Sequence, residues 1–443
     1  MQISRYLVTF PNPERPGTRL VYSTKRAALL VVSEGFWEEA RHGRVTGKSM
    51  DTLIRLGIAV ESLSAEREDM REAFARTDRD SRRFSALVTL TLDCNLACGY
   101  CYEGNFRGRH YMTSATADLL TERIVAGPMA AGKGVSVEFY GGEPLLALPL
   151  LKRIATGLRE AAERQGLPFG FRMVTNGTLC NRDLVAELLP LGLSGVRFTL
   201  DGPRPIHDRQ RPFPSGGGSF DLIVANLKEV CALVPVQLGG NYRRENYRDF
   251  PRLLDELLAA GIAPESLESV QFAPIVPKAG DRAGGDFAGC ASSGEPWLAA
   301  AALELREEIL KRGFAAPRLK PAGCMVEYAD AVVVGYDGSL YKCPAFMGWP
   351  ELAVGTVAEG VGDYRASHHL GLWQNDTCLD CPYLPLCFGG CRFLRLLRGG
   401  AIDGVDCRRA FLEASLEMVI RQDLAASHRL TPRHSARDKA IAD

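Results

Sequence analysis

The sequence predicts an α/β protein with three parts: a small α+β unit, an incomplete (β/α)6 barrel and a cysteine-rich C-terminal domain. Strand-like and helix-like runs alternate over residues 85–312, which implies a parallel sheet. Cysteines cluster at residues 94–101 and again at residues 324–407, whereas residues 1–84 contain none. We therefore expect domains at 1–84, 85–312 and 313–425, followed by a polar tail at 426–443.

Bulk composition excludes several classes of partner. The formal net charge of zero gives no broad basic surface for nucleic acid or an anionic membrane. No apolar run approaches the roughly 18 residues that a membrane helix needs. The thirteen cysteines are clustered, and the first residues do not resemble a secretory signal. This pattern favours metal clusters in a reducing compartment, so we expect a cytoplasmic protein with neither nucleic-acid nor membrane partners.

The N-terminal unit should begin with a β-hairpin. Two alternating runs flank residues 11–17, which are rich in proline and glycine. The expected elements are strands at 5–10 and 18–23, helices at 25–40 and 50–56, a short strand near 58–60, and a charged connecting helix at 61–83.

The barrel prediction depends on six repeats of strand and helix. The expected strands are 86–92, 135–140, 170–174, 195–200, 234–239 and 269–273, and the clearest helices are 146–164, 181–189, 220–230 and 247–260. Polar or glycine-rich motifs follow most of these strands directly. Active sites of such barrels are built from the loops after the strands, so these motifs should meet at one end.

The first of these loops carries Cys94, Cys98 and Cys101 within eight residues. Three thiolates can hold three irons of a [4Fe–4S] cluster and leave the fourth iron open. The alternative is a zinc site, but structural zinc usually closes four ligands, and no fourth ligand lies near in sequence.

This spacing, with Tyr100 before the last cysteine, resembles the signature of the radical S-adenosylmethionine (SAM) enzymes. The resemblance implies a partial, TIM-like barrel in which SAM chelates the open iron. One electron from the cluster then cleaves SAM to methionine and a 5′-deoxyadenosyl radical, which takes a hydrogen atom from the substrate.

The same resemblance implies which residues line the SAM pocket. Glycines at 141 and 142 allow close backbone approach, and the Glu143 carboxylate suits the SAM amino group. The implied SAM-pocket residues are Gly141, Gly142, Glu143, Thr175, Asn176, Thr199, Asp201, Arg211 and Asn241. Two alternatives stay open: residues 207–211 could be a solvated loop, and Asn241 an ordinary turn residue. No catalytic side chain is identified.

The C-terminal cysteines resemble the SPASM extension of radical SAM enzymes. Asp337-Gly338 between two apolar runs predicts a hairpin within it. The resemblance implies two auxiliary [4Fe–4S] clusters, one held by Cys378, Cys381, Cys387 and Cys407 and the other by Cys324, Cys343 and Cys391. For the second cluster, either Cys290 is the fourth ligand or one iron is open. A structural zinc domain is the alternative. Cys180 and Cys231 are expected to be small apolar residues beside helices.

SPASM enzymes mostly modify ribosomally made peptides or protein side chains. The resemblance therefore implies a peptide maturase that forms a thioether or another cross-link, with a reductase, ferredoxin or flavodoxin as its electron donor. Residues 22–26 and 101–104 look most like the geopeptide maturases, and residues 1–84 resemble peptide-binding modules or, alternatively, a cap on the barrel. Alternative functions are oxidation of a protein Cys or Ser, as in anaerobic sulfatase-maturing enzymes, a peptide-binding scaffold without radical chemistry, or a non-enzymatic electron carrier. The sulfatase-maturing enzymes have an Asp where this chain has Pro344.

Overall fold

The computed structural model describes residues 1–101, 108, 110–277, 286–288, 295–347, 349–397 and 402–429. The N-terminal unit contains a three-stranded antiparallel sheet in the order β2-β3-β4, and β1 pairs with β5. Its strands are β1 (Gln2–Ile3), β2 (Leu7–Pro11), β3 (Thr18–Ser23), β4 (Ala28–Ser33) and β5 (Ala59–Val60). Its helices are α1 (Glu34–Arg41), α2 (Gly47–Arg55), α3 (Leu63–Arg71) and α4 (Ala73–Asp80).

Two predictions for this unit were wrong. The segment 25–40 is not a single helix, because residues 28–33 form strand β4 and pair with β3. An apolar run of this length fits either a helix or a strand. The two β-branched valines at 31 and 32, together with the adjacent strand β3, favour a strand here. The helix begins only after Ser33, whose hydroxyl caps it by accepting from Phe36 N at 3.1 Å. The expected connecting helix at 61–83 is likewise two helices, α3 and α4.

The six predicted barrel strands are all present and pair in chain order as a parallel sheet. They are β6 (Arg83–Thr91), β7 (Gly134–Gly141), β8 (Phe169–Val174), β9 (Leu193–Thr199), β10 (Val236–Tyr242) and β11 (Ser269–Pro277), and β12 (Asp286–Ala288) follows. The helices are α5 (Ser114–Ile124), α6 (Leu148–Gln165), α7 (Arg182–Leu188), α8 (Arg204–Gln210), α9 (Phe220–Val230), α10 (Phe250–Ala259) and α11 (Pro296–Lys311). Phe139, Phe171 and Phe198 are fully buried in the core of this sheet.

The C-terminal region continues the same sheet. Its strands are β13 (Ala331–Val334), β14 (Ser339–Tyr341), β15 (Gly355–Thr356) and β16 (Gly360–Val361), and its helices are α12 (Asp376–Leu379), α13 (Arg392–Leu397) and α14 (Arg409–Arg429). The predicted hairpin is present, with Gly338 at a φ of +85° in the turn. Strand β13 pairs in parallel with β6, so the barrel stays open and the hairpin extends its first strand.

The N-terminal unit packs against the C-terminal region. Leu20 and Tyr22 share a buried cluster with Leu386 and with Leu416 of α14. The Tyr6 hydroxyl donates to Leu379 O at 2.9 Å, and the Thr24 hydroxyl donates to Pro382 O at 2.6 Å. These contacts place the unit on the segment that carries Cys378–Cys387. In the described part of the chain, no helix is long and apolar enough to cross a membrane.

Candidate functional site

The cysteine loop lies at the carboxyl end of β6, as the sequence predicted. Cys94, Cys98 and Cys101 are all partly exposed. Burial is the main cause that raises the pKa of the Cys98 thiol to about 11, and nearby thiolates of Cys94 and Cys101 raise it further. The three sulfurs are therefore close enough to interact electrostatically.

Two donors point at the first of these sulfurs. Cys94 Sγ accepts from Leu96 N at 3.4 Å and from Asn176 Nδ2 at 3.6 Å. Hydrogen bonds to the ligand sulfurs are one means by which proteins stabilise and tune iron–sulfur clusters. Asn176, from the loop after β8, thus belongs to the surroundings of this thiol.

Gly141 and Gly142, at the end of β7, pack closely against the backbone just before Cys94. Added Cβ atoms would lie 2.3 Å from Thr91 O and 2.1 Å from Asp93 O, and Gly141 has a φ of +126°. The backbone N–H of Gly142 donates to Thr91 O at 2.9 Å. The close approach that these glycines allow is therefore to the base of the cysteine loop.

The Glu143 carboxylate is fully buried and accepts hydrogen bonds from the segments that follow β7 and β8. It accepts from Leu145 N at 3.1 Å, from the Thr175 hydroxyl at 2.8 Å and from Asn176 N at 2.8 Å. Burial raises its pKa to about 7, and these hydrogen bonds oppose the rise. Glu143 therefore holds the loop after β8 in place beside the cysteine loop.

A buried polar network lies under Cys98. Asp201 accepts from the hydroxyl of Tyr100, from Asn241 N at 2.7 Å and from Asn241 Nδ2 at 3.1 Å. Arg211 NH1 donates to the Tyr100 hydroxyl at 2.6 Å and lies 3.7 Å from the Asp201 carboxylate. Arg211 Nε is buried with no hydrogen-bond partner among the described residues, so one donor is unused here. The sequence did not assign the Tyr100 hydroxyl to this network, because only the fold brings its partners together.

His207 and Arg211 do not belong to a solvated loop, and Asn241 lies within β10 rather than in a turn. His207 Nδ1 accepts from Asp201 N at 3.0 Å, and its Nε2 donates to the Ser219 hydroxyl at 2.9 Å. The Ser219 hydroxyl donates in turn to Arg211 O at 2.7 Å, which fixes this tautomer. Burial lowers the pKa of His207 to about 3, so the ring is neutral and supports the network from behind.

Thr199 and the cysteines outside the clusters take no part in these hydrogen-bond networks among the described residues. Thr199 is half-buried at the end of β9, opposite Gly239. Cys180 is fully buried, as expected for a small apolar residue, and Cys231 is partly exposed at the end of α9. Cys290 and residues 102–104 lie outside the described residues.

Electrostatic interactions link the C-terminal thiols within two sets. Burial and the nearby thiolates of Cys324 and Cys391 raise the pKa of Cys343. Burial and the thiolates of Cys407 and Cys381 raise the pKa of Cys378, and burial with Cys378 and Cys381 raises that of Cys387 to about 11. No three His, Cys, Asp or Glu side chains of the described residues converge as they would on one metal ion. Ligands of a four-iron cluster each bind a different iron and need not converge on one point.

A buried ion pair joins the two segments that carry Cys324 and Cys391. Arg392 NH2 lies 2.5 Å from the Glu327 carboxylate, and their side chains are 2% and 4% exposed. Arg392 also donates to His368 O at 2.9 Å, and Glu327 accepts from Gly371 N at 3.1 Å. The pair therefore ties three separate segments around this group of thiols.

A second buried cation lies next to Cys343. The Lys342 ammonium donates to Tyr328 O at 2.6 Å and to Ala331 O at 2.5 Å, and it lies 4.8 Å from the centre of the Tyr364 ring. Its side chain is fully buried. Neither Lys342 nor the Glu327–Arg392 pair was identified from the sequence, because no motif marks them.

Comparison with known proteins identifies the family of the barrel. Residues 88–257 match the radical SAM superfamily, so the predicted resemblance is confirmed for the barrel. A probable GTP 3′,8-cyclase of Methanopyrus kandleri is 28% identical over 290 residues, covering 62% of this chain and 84% of that protein. The PqqA peptide cyclase of Ruegeria pomeroyi is 24% identical over 364 residues, covering 74% and 90%.

Solved structures share the fold of the chain. Native anSMEcpe with bound AdoMet and Cp18Cys peptide matches with a TM-score of 0.61 and 19% identity, over 78% of this chain and 99% of that one. Streptococcus suis SuiB bound to precursor peptide SuiA matches with a TM-score of 0.52 and 14% identity, over 92% and 99%. The match of the barrel to radical SAM enzymes implies a [4Fe–4S] cluster and SAM. The three thiols, the donors to Cys94 and the unused Arg211 donor fit these groups.

Proposed function

We propose that this enzyme is a maturase that modifies a ribosomally synthesised peptide, with a thioether or another cross-link as the favoured product. The observation that carries the proposal is the division of ten cysteines into one group at the barrel mouth and two groups in the C-terminal region. An electron carrier would need no barrel-mouth network around its cysteine loop.

Each part of the chain has a distinct task in this proposal. When bound, the cluster and SAM supply a 5′-deoxyadenosyl radical that removes a hydrogen atom from the peptide. Cys94, Cys98 and Cys101 hold that cluster. Tyr100 fixes their loop to Asp201, and Glu143 holds the loop after β8 beside it. The two C-terminal groups of thiols hold auxiliary clusters in the ligand sets given above.

The N-terminal unit offers a surface for the peptide. Strand β4 is an edge of its sheet and borders a groove of about 520 Å³ between β4, α1 and α2. Val31 is 37% exposed at this edge, and Lys48 lies on the opposite side. An extended peptide can add to such an edge by main-chain hydrogen bonds while the groove takes alternate side chains.

The named relatives support a peptide substrate. SuiB binds precursor peptide SuiA, anSMEcpe binds the Cp18Cys peptide, and the relative from Ruegeria pomeroyi is a PqqA peptide cyclase. The competing function is oxidation of a single Cys or Ser. Pro344 disfavours it, because the enzymes with that activity have an Asp at this position.

The test combines anaerobic reconstitution of the enzyme with co-expression of the enzyme and a candidate precursor peptide. We expect about twelve irons per chain, release of 5′-deoxyadenosine on reduction by dithionite or a flavodoxin with its reductase, and loss of two hydrogens from the peptide. A product that reacts with a hydrazide reagent would indicate side-chain oxidation to an aldehyde instead. Stoichiometric zinc with little iron would contradict the proposal.

A further inference from the structure

A cavity of about 490 Å³ lies in the seam between the N-terminal unit and the C-terminal region. One wall is formed by residues 25–26, which follow β3, and by helices α3 and α4. The other wall is formed by residues 321–323, Tyr328, Pro385 and Phe388. The volume is typical of a ligand pocket. Gly323 in this wall directly precedes Cys324, so an occupant would lie beside one of the C-terminal groups of thiols.

The charged residues of the cavity leave one cation without an acidic partner. Lys25 is paired with buried Glu66 at 2.7 Å, and Arg76 lies 3.5 Å from Asp69. Arg26 has no acidic partner among the described residues, although it is exposed at the rim. The Arg76 pair is largely exposed and therefore weak, so Arg76 can change partner at small cost.

The inner wall of the cavity is aromatic. The Phe74 ring lies 4.9 Å from that of Tyr328 and 4.8 Å from that of Phe388, in edge-to-face contacts. Phe388 has a φ of +39°, and Ala27, next to Arg26, has a φ of +49°. Non-glycine residues rarely adopt this left-handed conformation, and such strain is concentrated at ligand-binding positions.

We propose that this seam cavity binds a segment of the precursor peptide in which an acidic side chain stands next to an aromatic one. The acidic group lies between Arg26 and Arg76, and the aromatic ring packs against the Phe74 wall. Because β4 begins two residues after Arg26, a peptide strand added along β4 continues from its end directly to this cavity. The proposal rests on the peptide-modifying function proposed above and extends its docking surface.

The test uses the reconstituted full chain and two fluorescein-labelled octapeptides. Each begins Val-Thr-Val-Thr-Gly, and one ends Glu-Phe-Glu whereas the other ends Lys-Phe-Lys. We expect the acidic peptide to bind at least about 10-fold more tightly in fluorescence anisotropy, with the difference shrinking as salt is added. Hydrogen exchange of residues 24–27 and 69–77 should slow when the acidic peptide binds.

Matched variants locate the site. Arg26→Glu and Arg76→Glu should each reduce binding of the acidic peptide about 10-fold. Arg26→Lys keeps the positive charge and should retain most of the wild-type binding. Arg79→Glu is the control, because Arg79 lies one turn further along α4, is 62% exposed and does not line the cavity. Equal binding of the two peptides, no binding of the acidic one, or an equal loss in Arg79→Glu would overturn the proposal.

A separate measurement distinguishes this proposal from the proposed function. Release of 5′-deoxyadenosine and the mass of the co-expressed peptide are recorded for the same variants. If the wild-type enzyme does not modify the peptide while the Arg26 and Arg76 variants still lose acidic-peptide binding, the proposed function fails and the cavity stands. If modification proceeds and binding is the same in all variants, the cavity proposal alone is wrong.

Discussion

The barrel mouth and the C-terminal region both bring thiols together, but they do so by different means. At the barrel mouth, Cys94 and Cys101 belong to one short loop after a single strand. In the C-terminal region, the thiols of one group come from positions as far apart as Cys324 and Cys391. The first site is local in sequence, whereas the second exists only because distant segments are held together.

The side chains that support the two sites differ accordingly. Around the cysteine loop, the Tyr100 hydroxyl donates to Asp201 and the Glu143 carboxylate accepts from the Thr175 hydroxyl. These hydrogen bonds secure loops that the strand order already places correctly. Around Cys324 and Cys391, the Glu327–Arg392 pair supplies the attachment itself. We therefore expect perturbation of the barrel mouth to change chemistry first, and perturbation of the Glu327–Arg392 pair to change stability first.

The largest effect should follow replacement of Cys94, Cys98 and Cys101 together with Ala. This triple variant should lose one cluster and all cleavage of SAM, because no thiols remain to hold the cluster at the barrel mouth. The auxiliary clusters should persist, since their ligands lie in another region. Iron analysis and 5′-deoxyadenosine release measure both outcomes, and continued release would place the radical site elsewhere.

Arg392→Met should destabilise the C-terminal region by about 3–5 kcal/mol, because it leaves the Glu327 carboxylate buried without its cation. Urea unfolding measures the loss, and iron analysis in the triple-Ala background shows whether auxiliary clusters are lost with it. The double variant with Glu327→Gln should recover part of the stability. Arg365→Gln, which removes an exposed cation of the same region, is the matched control and should have no measurable effect.

Glu143→Gln should weaken SAM binding roughly 10- to 100-fold, since a charge-assisted hydrogen bond contributes about 1.5–3 kcal/mol. The amide also places a donor against the N–H donors of Leu145 and Asn176. Titration calorimetry of the reconstituted enzyme measures the change, and the spectra of the auxiliary clusters should be unaltered. Unchanged affinity would limit Glu143 to holding the strand ends together.

Tyr100→Phe keeps the ring but removes the hydroxyl that joins Asp201 to Arg211. Loss of the two buried hydrogen bonds that this hydroxyl makes should cost about 1–3 kcal/mol of barrel stability and slow SAM cleavage. Tyr111→Phe is the control, because Tyr111 is 39% exposed. A wild-type cleavage rate in Tyr100→Phe would show that the loop is held without this network.

The last effect is a pH dependence of stability, which appears below neutral pH. His207 has its pKa lowered to about 3 by burial, so the unfolded chain takes up a proton below about 6.5 that the folded chain does not. Barrel stability should therefore fall by about 1.4 kcal/mol per pH unit between roughly pH 6 and 4 through this residue. His207→Gln should be less stable at neutral pH but should show a shallower fall. Identical pH slopes would exclude His207 as the cause.

Local patterns were enough to predict much of this protein. The six barrel strands, the cysteine loop and the hairpin at Asp337-Gly338 all follow from short-range signals. Alternation of apolar residues, turn-forming pairs and thiol spacing act over a few residues, so they can be read without knowing the rest of the fold. The grouping of thiols came from the family resemblance rather than from any local pattern.

The tertiary structure alone decided the features that join distant segments. Residues 28–33 became a strand because β3 was available as a partner, and β13 extended the barrel by pairing with β6. The Tyr100–Arg211 hydrogen bond spans 111 residues and the Glu327–Arg392 pair spans 65. A buried polar contact is stable only when both partners arrive in the same desolvated place, and a sequence does not state which distant residues will meet there.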